Sequence, residues 1–153
     1  MALIEVKNVT KVFKEDGSLP IQALSDVSIQ VDEGEFTALT GPSGSGKTTL
    51  LNLIGCLDRP TEGRIQLDGE EVSGFPQNKL AEVRLRKIGF IFQDYNLIPA
   101  FTAIENIEYV LWLQGVSVSE RRNRALAVCE QFGIQKLIDR RPYKMSRGQQ
   151  QRV

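Results

Sequence analysis

Histidine is absent from the 153 residues, and cysteine is scarce: only Cys56 and Cys129 occur, far apart and forming no CxxC pair. A zinc site, or a Ser-His or Cys-His catalytic pair, therefore has no partners from which to be built. An excess of either charge is missing too, since 19 Lys and Arg balance 19 Asp and Glu. Coating nucleic acid, or adhering to a membrane through a polybasic surface, needs a cationic surplus, so no nucleic-acid partner is expected. Long apolar runs are also lacking. No stretch approaches the roughly 20 residues that span a bilayer, and the opening MALIEVKNVTKV places Glu5 and Lys7 where a signal peptide requires apolar residues. What remains, 41% hydrophobic and 25% charged, is the composition of an ordinary globular protein of about one domain. The expectation is a soluble, cytoplasmic chain that does not rely on disulfides.

No internal repeat, low-complexity tract or Pro/Gly/Ser-rich linker divides the sequence. Residues Ala2–Val6 and Val27–Val31 alternate as strands do, and Glu33-Gly34 turns the chain into a further apolar run, Phe36–Thr40. Turn-forming residues make Glu15–Pro20 a surface loop. After Gly46 the spacing becomes helical, with Leu50, Leu51, Leu53, Ile54 and Leu57 apolar, so a helix is expected over Thr48–Leu57, closed by Pro60 and Gly63. Arg64–Leu67 with Asp68-Gly69 reads as strand and turn, Asn78–Arg86 as a polar helix, and Ile88–Phe92 as a short buried strand. From Asp94 the pattern is helical. Thr102 is placed to cap a helix bearing Ile104, Ile107, Val110 and Leu111. Ser119 is placed to cap a second, with Ala125, Leu126, Val128, Cys129 and Phe132 on its apolar side and Gly133 ending it. These readings divide the chain into a strand-rich α/β part, residues 1–93, and a smaller helical part, residues 94–153.

The segment Gly41-Pro42-Ser43-Gly44-Ser45-Gly46-Lys47-Thr48 matches G-x-x-x-x-G-K-[ST] in full, between an expected strand and an expected helix, as that motif's mechanism needs. Its glycines let the backbone wrap around an anion with successive N–H groups turned inward. The positive end of the following helix adds to that attraction. Lys47 can reach the outer phosphates of a nucleotide, and the hydroxyl of Thr48 can ligate Mg²⁺. Thr49, next in the helical turn, joins the candidate contacts.

A phosphate loop alone is shared by kinases, GTPases and transport ATPases; two further segments separate them. Phe90–Phe92 leads directly into Gln93-Asp94-Tyr95-Asn96-Leu97-Ile98-Pro99, and Met145-Ser146-Arg147-Gly148-Gln149-Gln150-Gln151-Arg152 places Ser and Gly at a helix start. With the phosphate loop, these resemble the Q-loop and the LSGGQ signature of ATP-binding-cassette (ABC) ATPases, and the resemblance covers the whole chain. Leu51–Gly63 and Thr102–Ile107 are similar to the lipoprotein-release and macrolide-export branch. The resemblance implies an α/β fold, a P-loop NTPase (RecA-like) core with an antiparallel β subdomain and a small α-helical subdomain. It implies ATP held on Gly41–Thr49, Mg²⁺ at Thr48 and Gln93, and the adenine stacked on Phe13, where the family more often has Tyr. Gln93 would serve catalysis by contacting the Mg²⁺ and the attacking water. Ser146, Gly148 and Gln149 would meet the ATP of a second cassette in a head-to-tail dimer. Within the signature, Arg147 stands where the family has Gly, and Met145 where it has Leu. The implied partners are a transmembrane permease subunit and that second cassette, and the implied place is the cytoplasmic face of the membrane.

The family continues past its signature with a strand ending in Asp (Walker B), a catalytic Glu, a D-loop and a switch His, none of which lies in these 153 residues. The chain is accordingly read as an N-terminal fragment with the C-terminal half of the core missing, expected to bind Mg-ATP weakly and to hydrolyse it poorly alone. A transporter's ATP-binding subunit competes here with a non-hydrolysing ATP-binding remnant and with a soluble phosphate-loop NTPase unconnected to transport. Related machines of chromosome maintenance and repair insert a long coiled coil between Q-loop and signature, whereas only Asp94–Met145 intervenes here. The basic groups Arg84–Lys87, Arg121–Arg124 and Arg140-Arg141 read as solvated helix faces.

Overall fold

Two strands, β1 (Ala2–Phe13) and β2 (Ile21–Asp32), run antiparallel at the start of the chain. The structure is a computed structural model that describes residues 2–14, 17 and 19–153; of the expected loop 15–20, Glu15, Asp16 and Ser18 lie outside the described residues. β1 pairs on its other side with β3 (Glu62–Leu67), also antiparallel. The short β4 (Glu70–Glu71) completes a sheet of order β2-β1-β3-β4. Between β3 and β4, Asp68 and Gly69 adopt φ of 51° and 74°, as the turn favoured by the twist of a two-residue hairpin requires.

A strict period of two cannot turn both Val6 and Val9 inward, yet both are buried. The register between β1 and β2 shifts between those two residues, and Asn8 absorbs the irregularity with φ of 50°. Its N–H donates to Ser28 Oγ at 2.9 Å and its Nδ2 to Asp26 Oδ1 at 2.8 Å. Side chains from the sheet, chiefly Val6, Val9, Leu24, Ile65 and Leu67, form one core with Leu50 and Leu53 of α1 (Lys47–Ile54) and Leu80 and Val83 of α2 (Gln77–Lys87). The strands expected at Ala2–Val6, Val27–Val31 and Arg64–Leu67 and the helix expected at Asn78–Arg86 are all in place.

α1 ends earlier than its apolar spacing predicts. Cys56 takes a left-handed φ of 57°, and the N–H groups of Leu57 and Cys56 return to Asn52 O at 2.9 Å and Leu53 O at 3.1 Å. That is a Schellman closure with cysteine where glycine is usual, so Pro60 and Gly63 do not end the helix. Gly63 instead lies in β3 with φ of 87°, where a Cβ would sit 2.4 Å from Asn8 O.

The remaining helices are α3 (Ala103–Leu113), α4 (Val118–Gln131) and the short α5 (Arg147–Arg152), with single 3₁₀ turns at Gln135–Leu137 and Pro142–Lys144. They enclose a second core of Ala103, Ile104, Ala125, Cys129, Ile134 and Met145, among others. Thr102 caps α3 as expected, in a full capping box with Glu105. For α4 the cap is Ser117, which accepts from the N–H of Glu120, and not Ser119. Ser119 already lies inside the first turn, together with Glu120, whose N–H the Ser117 hydroxyl accepts from. Gly133, at φ of 64°, follows the last turn of α4 as expected.

Two expected strands, Phe36–Thr40 and Ile88–Phe92, are not strands. A strand exists only in a hydrogen-bonded ladder, and no described residue pairs with either run. Phe36 and Ile91 are accordingly 98% and 92% exposed. Phe90 and Phe92 still stack, 5.5 Å apart and 8° from parallel, as neighbours on one side of an extended backbone do. The chain separates into two compact units, Met1–Ile88 and Gly89–Val153. Among the described residues, no helix is long and apolar enough to cross a membrane.

Candidate nucleotide site

The phosphate loop lies in the first unit, between the unpaired Phe36–Thr40 run and α1. Gly41, Gly44 and Gly46 all have positive φ, of 149°, 81° and 85°. Pro42 to Ser45 form a tight turn closed by Ser45 N–H on Pro42 O at 3.3 Å, with Ser43 exposed at its outside. Gly46 is the N-cap of α1 and contributes no side chain to cap it. The first intrahelical bond is Leu50 N–H to Gly46 O at 2.8 Å, so the N–H groups of Lys47, Thr48 and Thr49 have no acceptor within the helix. A Cβ on Gly46 would stand 2.6 Å from Ala23 O and 2.8 Å from Leu24 Cδ2. Glycine there is what lets the loop close against β2.

Lys47 folds back over the loop. Its ammonium donates to Gly41 O at 2.8 Å, Pro42 O at 2.6 Å and Ser45 Oγ at 3.2 Å. The loop thus gathers a cation, bare N–H donors and the exposed Thr48 hydroxyl around one glycine-lined turn. These groups fit a phosphate chain with its Mg²⁺: an ammonium and the N–H groups of a helix start supply positive potential for the anion, and a hard oxygen ligand is at hand for the metal. Among the described residues, no group of three or more His, Cys, Asp or Glu could hold a metal by itself.

Phe13 closes β1 and pairs with Ile21, while Lys11 pairs with Leu24, the residue against which Gly46 packs. The aromatic ring and the loop therefore share one end of the same hairpin, separated by about 7–10 Å of strand at roughly 3.3 Å per residue. Phe13 is 42% exposed. Lys11 Nζ lies 5.0 Å from its ring centroid and bonds Asp58 Oδ2 and Arg59 O, both at 2.7 Å. Burial tends to raise the Asp58 carboxyl, but the hydrogen bonds and charges of Lys11 and Arg59 outweigh it and hold the group below its ordinary value. Sequence reasoning missed the Lys11–Asp58 pair; the 46 positions between them leave no local signal.

Gln93 and the signature lie in the second unit. Gln93 is exposed in a turn, followed by two left-handed residues, Tyr95 at 60° and Asn96 at 49°. Asn106 on α3 holds the chain after that turn, accepting from Ile98 N–H at 2.7 Å while its Nδ2 reaches Thr102 O at 2.9 Å. A polar residue on the inner side of an apolar helix was the one available hint of it. Ser146 caps α5: its hydroxyl accepts from Gln149 N–H at 3.3 Å, and Gln149 Oε1 accepts from Ser146 N–H at 2.9 Å. A Cβ on Gly148 would meet nothing within 4 Å. Arg147 is exposed beside it. Phe90, Phe92, Tyr95, Leu97, Gln150 and Gln151 line a cavity of about 200 Å³, which brings the flanks of Gln93 and of the signature together.

On the basic faces, ion pairs accompany exposure: Lys87, Arg122 and Arg124 keep 38%, 42% and 56% of their side chains exposed, and Arg140 and Arg141 are exposed. Arg84 donates to Cys56 O at 2.6 Å, Lys87 bridges Asp68 and Glu70, Arg122 pairs with Glu108 and Arg124 with Glu120. Arg121 Nε is buried without a hydrogen-bond partner.

A glycine cradle with its lysine at the head of a helix has the form of a phosphate-binding loop. The chain belongs to the ABC transporter family, whose sequence pattern matches residues 24–153. An uncharacterised ABC transporter ATP-binding protein of Thermotoga maritima is 48% identical over 99% of this chain and 64% of its own length. The macrolide export ATP-binding/permease protein MacB of Brucella melitensis is 46% identical over 99% of this chain and 23% of its own length. Among solved structures, the ATP-binding cassette MJ0796, a dimer in a post-hydrolysis state bound to ADP and Pi, matches with a TM-score of 0.88. That match has 44% identity and covers 97% of this chain and 66% of the other. MJ0796 is a protein of Methanocaldococcus jannaschii. The chain thus spans slightly under two thirds of the length of these cassettes.

Proposed function

We propose that this chain is the ATP-binding part of an ABC transporter, coupling ATP binding and hydrolysis to movement of a substrate through a membrane permease. The observation that carries the proposal is the loop itself: three positive-φ glycines, an uncapped helix start and the Lys47 ammonium, all converging on one turn in a member of the ABC transporter family. Lys47 would exchange its carbonyl partners for phosphate oxygens, and the N–H groups at the head of α1 would donate to the same anion. Thr48 would ligate Mg²⁺, which when bound supplies charge neutralisation along the phosphate chain. Phe13 would stack on the adenine through the face its ring leaves exposed. Gln93 carries an amide that can both donate and accept, which suits contact with an attacking water.

Ser146, Gly148 and Gln149 are assigned to the ATP of a second cassette. The open space at Gly148 supports this, because nothing within the chain calls for glycine there. The MacB relative joins an ATP-binding part to a permease in one protein by its name, and MJ0796 is solved as a dimer. By the same reasoning the partners here are a permease and a second cassette, and the place of action is the cytoplasmic face of a membrane. Replacing Lys47 with Ala tests the core of the proposal. Titration with a fluorescent ATP analogue should show binding weakened by tenfold or more, about 1.4 kcal/mol; unchanged affinity would remove the phosphate-loop assignment.

A further inference from the structure

Phe13 is not a free aromatic. Its neighbour on the same side of β1, Lys11, is buried to 12% side-chain exposure and places its ammonium 5.0 Å from the ring centroid. Asp58 Oδ2 and Arg59 O fix that ammonium at 2.7 Å each, and Asp58 Oδ1 is itself held by the N–H of Arg59. Next to this pair, Val12 N–H donates to Thr61 Oγ1 at 2.9 Å, and Thr61 N–H donates to Thr10 O at 2.9 Å. The end of β1 is thereby bound to the segment that leaves α1, the helix whose first turn belongs to the phosphate loop.

We infer that Lys11, held by Asp58, is a positioning residue that fixes the Phe13 ring for stacking on a purine base. The inference rests on the reading of Phe13 as the adenine platform. The chemistry is one of preorganisation. An exposed phenyl ring otherwise samples several staggered rotamers, and a base that must immobilise it loses affinity in doing so. A cation beside the ring favours the rotamer that keeps the contact and leaves the ring's exposed surface for the base. Asp58 keeps the ammonium from turning into solvent or towards the phosphates.

The test is isothermal titration of the full chain with Mg-ATP and, separately, with inorganic tripolyphosphate. Lys11→Met and Asp58→Asn should each weaken ATP about threefold to fivefold, the order of one exposed cation–π contact. Both should leave tripolyphosphate within about twofold, a difference that mere loss of folding would not produce. Lys11→Arg should restore most of the ATP affinity, and Lys11→Met should add nothing in a Phe13→Ala background. If Phe13→Ala selectively weakens ATP while Lys11→Met does not, the platform stands and the positioning role is overturned. Equal losses for both ligands in Lys11→Met also overturn it, since the pair then acts only through the fold. If Phe13→Ala itself leaves the ratio of ATP to tripolyphosphate affinity unchanged, the platform reading fails and this inference fails with it.

Discussion

Substituting Ala for Gly46 separates two reasons for which a phosphate loop needs glycine. Gly44 and Gly46 have nearly the same positive φ, 81° and 85°, so an added Cβ meets a similar left-handed penalty at both, about 1–2 kcal/mol. Their surroundings differ. At Gly44 the new Cβ meets nothing within 4 Å, whereas at Gly46 it lies 2.6 Å from Ala23 O and 2.8 Å from Leu24 Cδ2. The leucine methyl can rotate away, but the carbonyl belongs to β2 and can withdraw only by moving the strand or the loop. Relief of such overpacking costs a further ~1–3 kcal/mol. Gly46→Ala should therefore be less stable than Gly44→Ala by about 2 kcal/mol, or ~1 M in urea midpoint at an m-value of roughly 2 kcal/mol/M. Because the displaced backbone carries the N–H groups at the head of α1, Gly46→Ala should also lose tenfold or more in ATP affinity relative to Gly44→Ala. Urea melts followed by circular dichroism, with titration of the ATP analogue, give both quantities. Equal midpoints for the two variants would refute the close approach of loop and strand.

The signature offers a second comparison, in an assembled dimer of complete cassettes. Gly148→Arg should nearly abolish ATP-driven dimerisation on size exclusion and leave the melting temperature of the monomer within a few degrees, because the position is open within the chain. Arg147→Gly should change the ATPase rate by less than about tenfold, roughly 1.4 kcal/mol, since Arg147 is the residue after the cap and exposed; a hundredfold gain would mean that arginine cripples the motif. Acid should act through the cap of α3. Hydrogen bonds from Thr102 N–H and hydroxyl, followed by the charges of Arg141 and Arg122, hold the Glu105 carboxyl below its ordinary value of about 4.5. A carboxyl whose folded value is lowered stabilises the fold fully above its unfolded value and loses that contribution as pH falls through the folded one. Glu105→Gln keeps a capping-box acceptor without the charge, so its stability should fall less than the parent's between pH 5 and 3; parallel urea midpoints across that range would contradict the assignment.

Local rules decided much of this protein before any packing was considered. The eight residues Gly41–Thr48 carry their own geometry, because positive φ at three glycines and a lysine at a helix start need no distant contact to be recognised. The caps at Thr102 and Ser146 were equally legible, since a hydroxyl and an acceptor three residues on satisfy the orphan N–H groups locally. The alternating segments of β1 and β2 announced themselves by their period, and β3 by the Asp68-Gly69 turn that follows it. Tertiary structure decided the rest. Phe36–Thr40 and Ile88–Phe92 have strand-like sequences and are not strands, because a ladder requires a neighbour that no local pattern can supply. The shift that buries both Val6 and Val9 depends on how β1 meets β2, and α1 stops at Ile54 because a cysteine accepted a left-handed turn that apolar spacing does not encode. Most tellingly, Lys11 finds Asp58 across 46 intervening positions. Such a contact is created by the return of the chain from α1 to the end of β1, and sequence separation leaves no periodicity from which to read it.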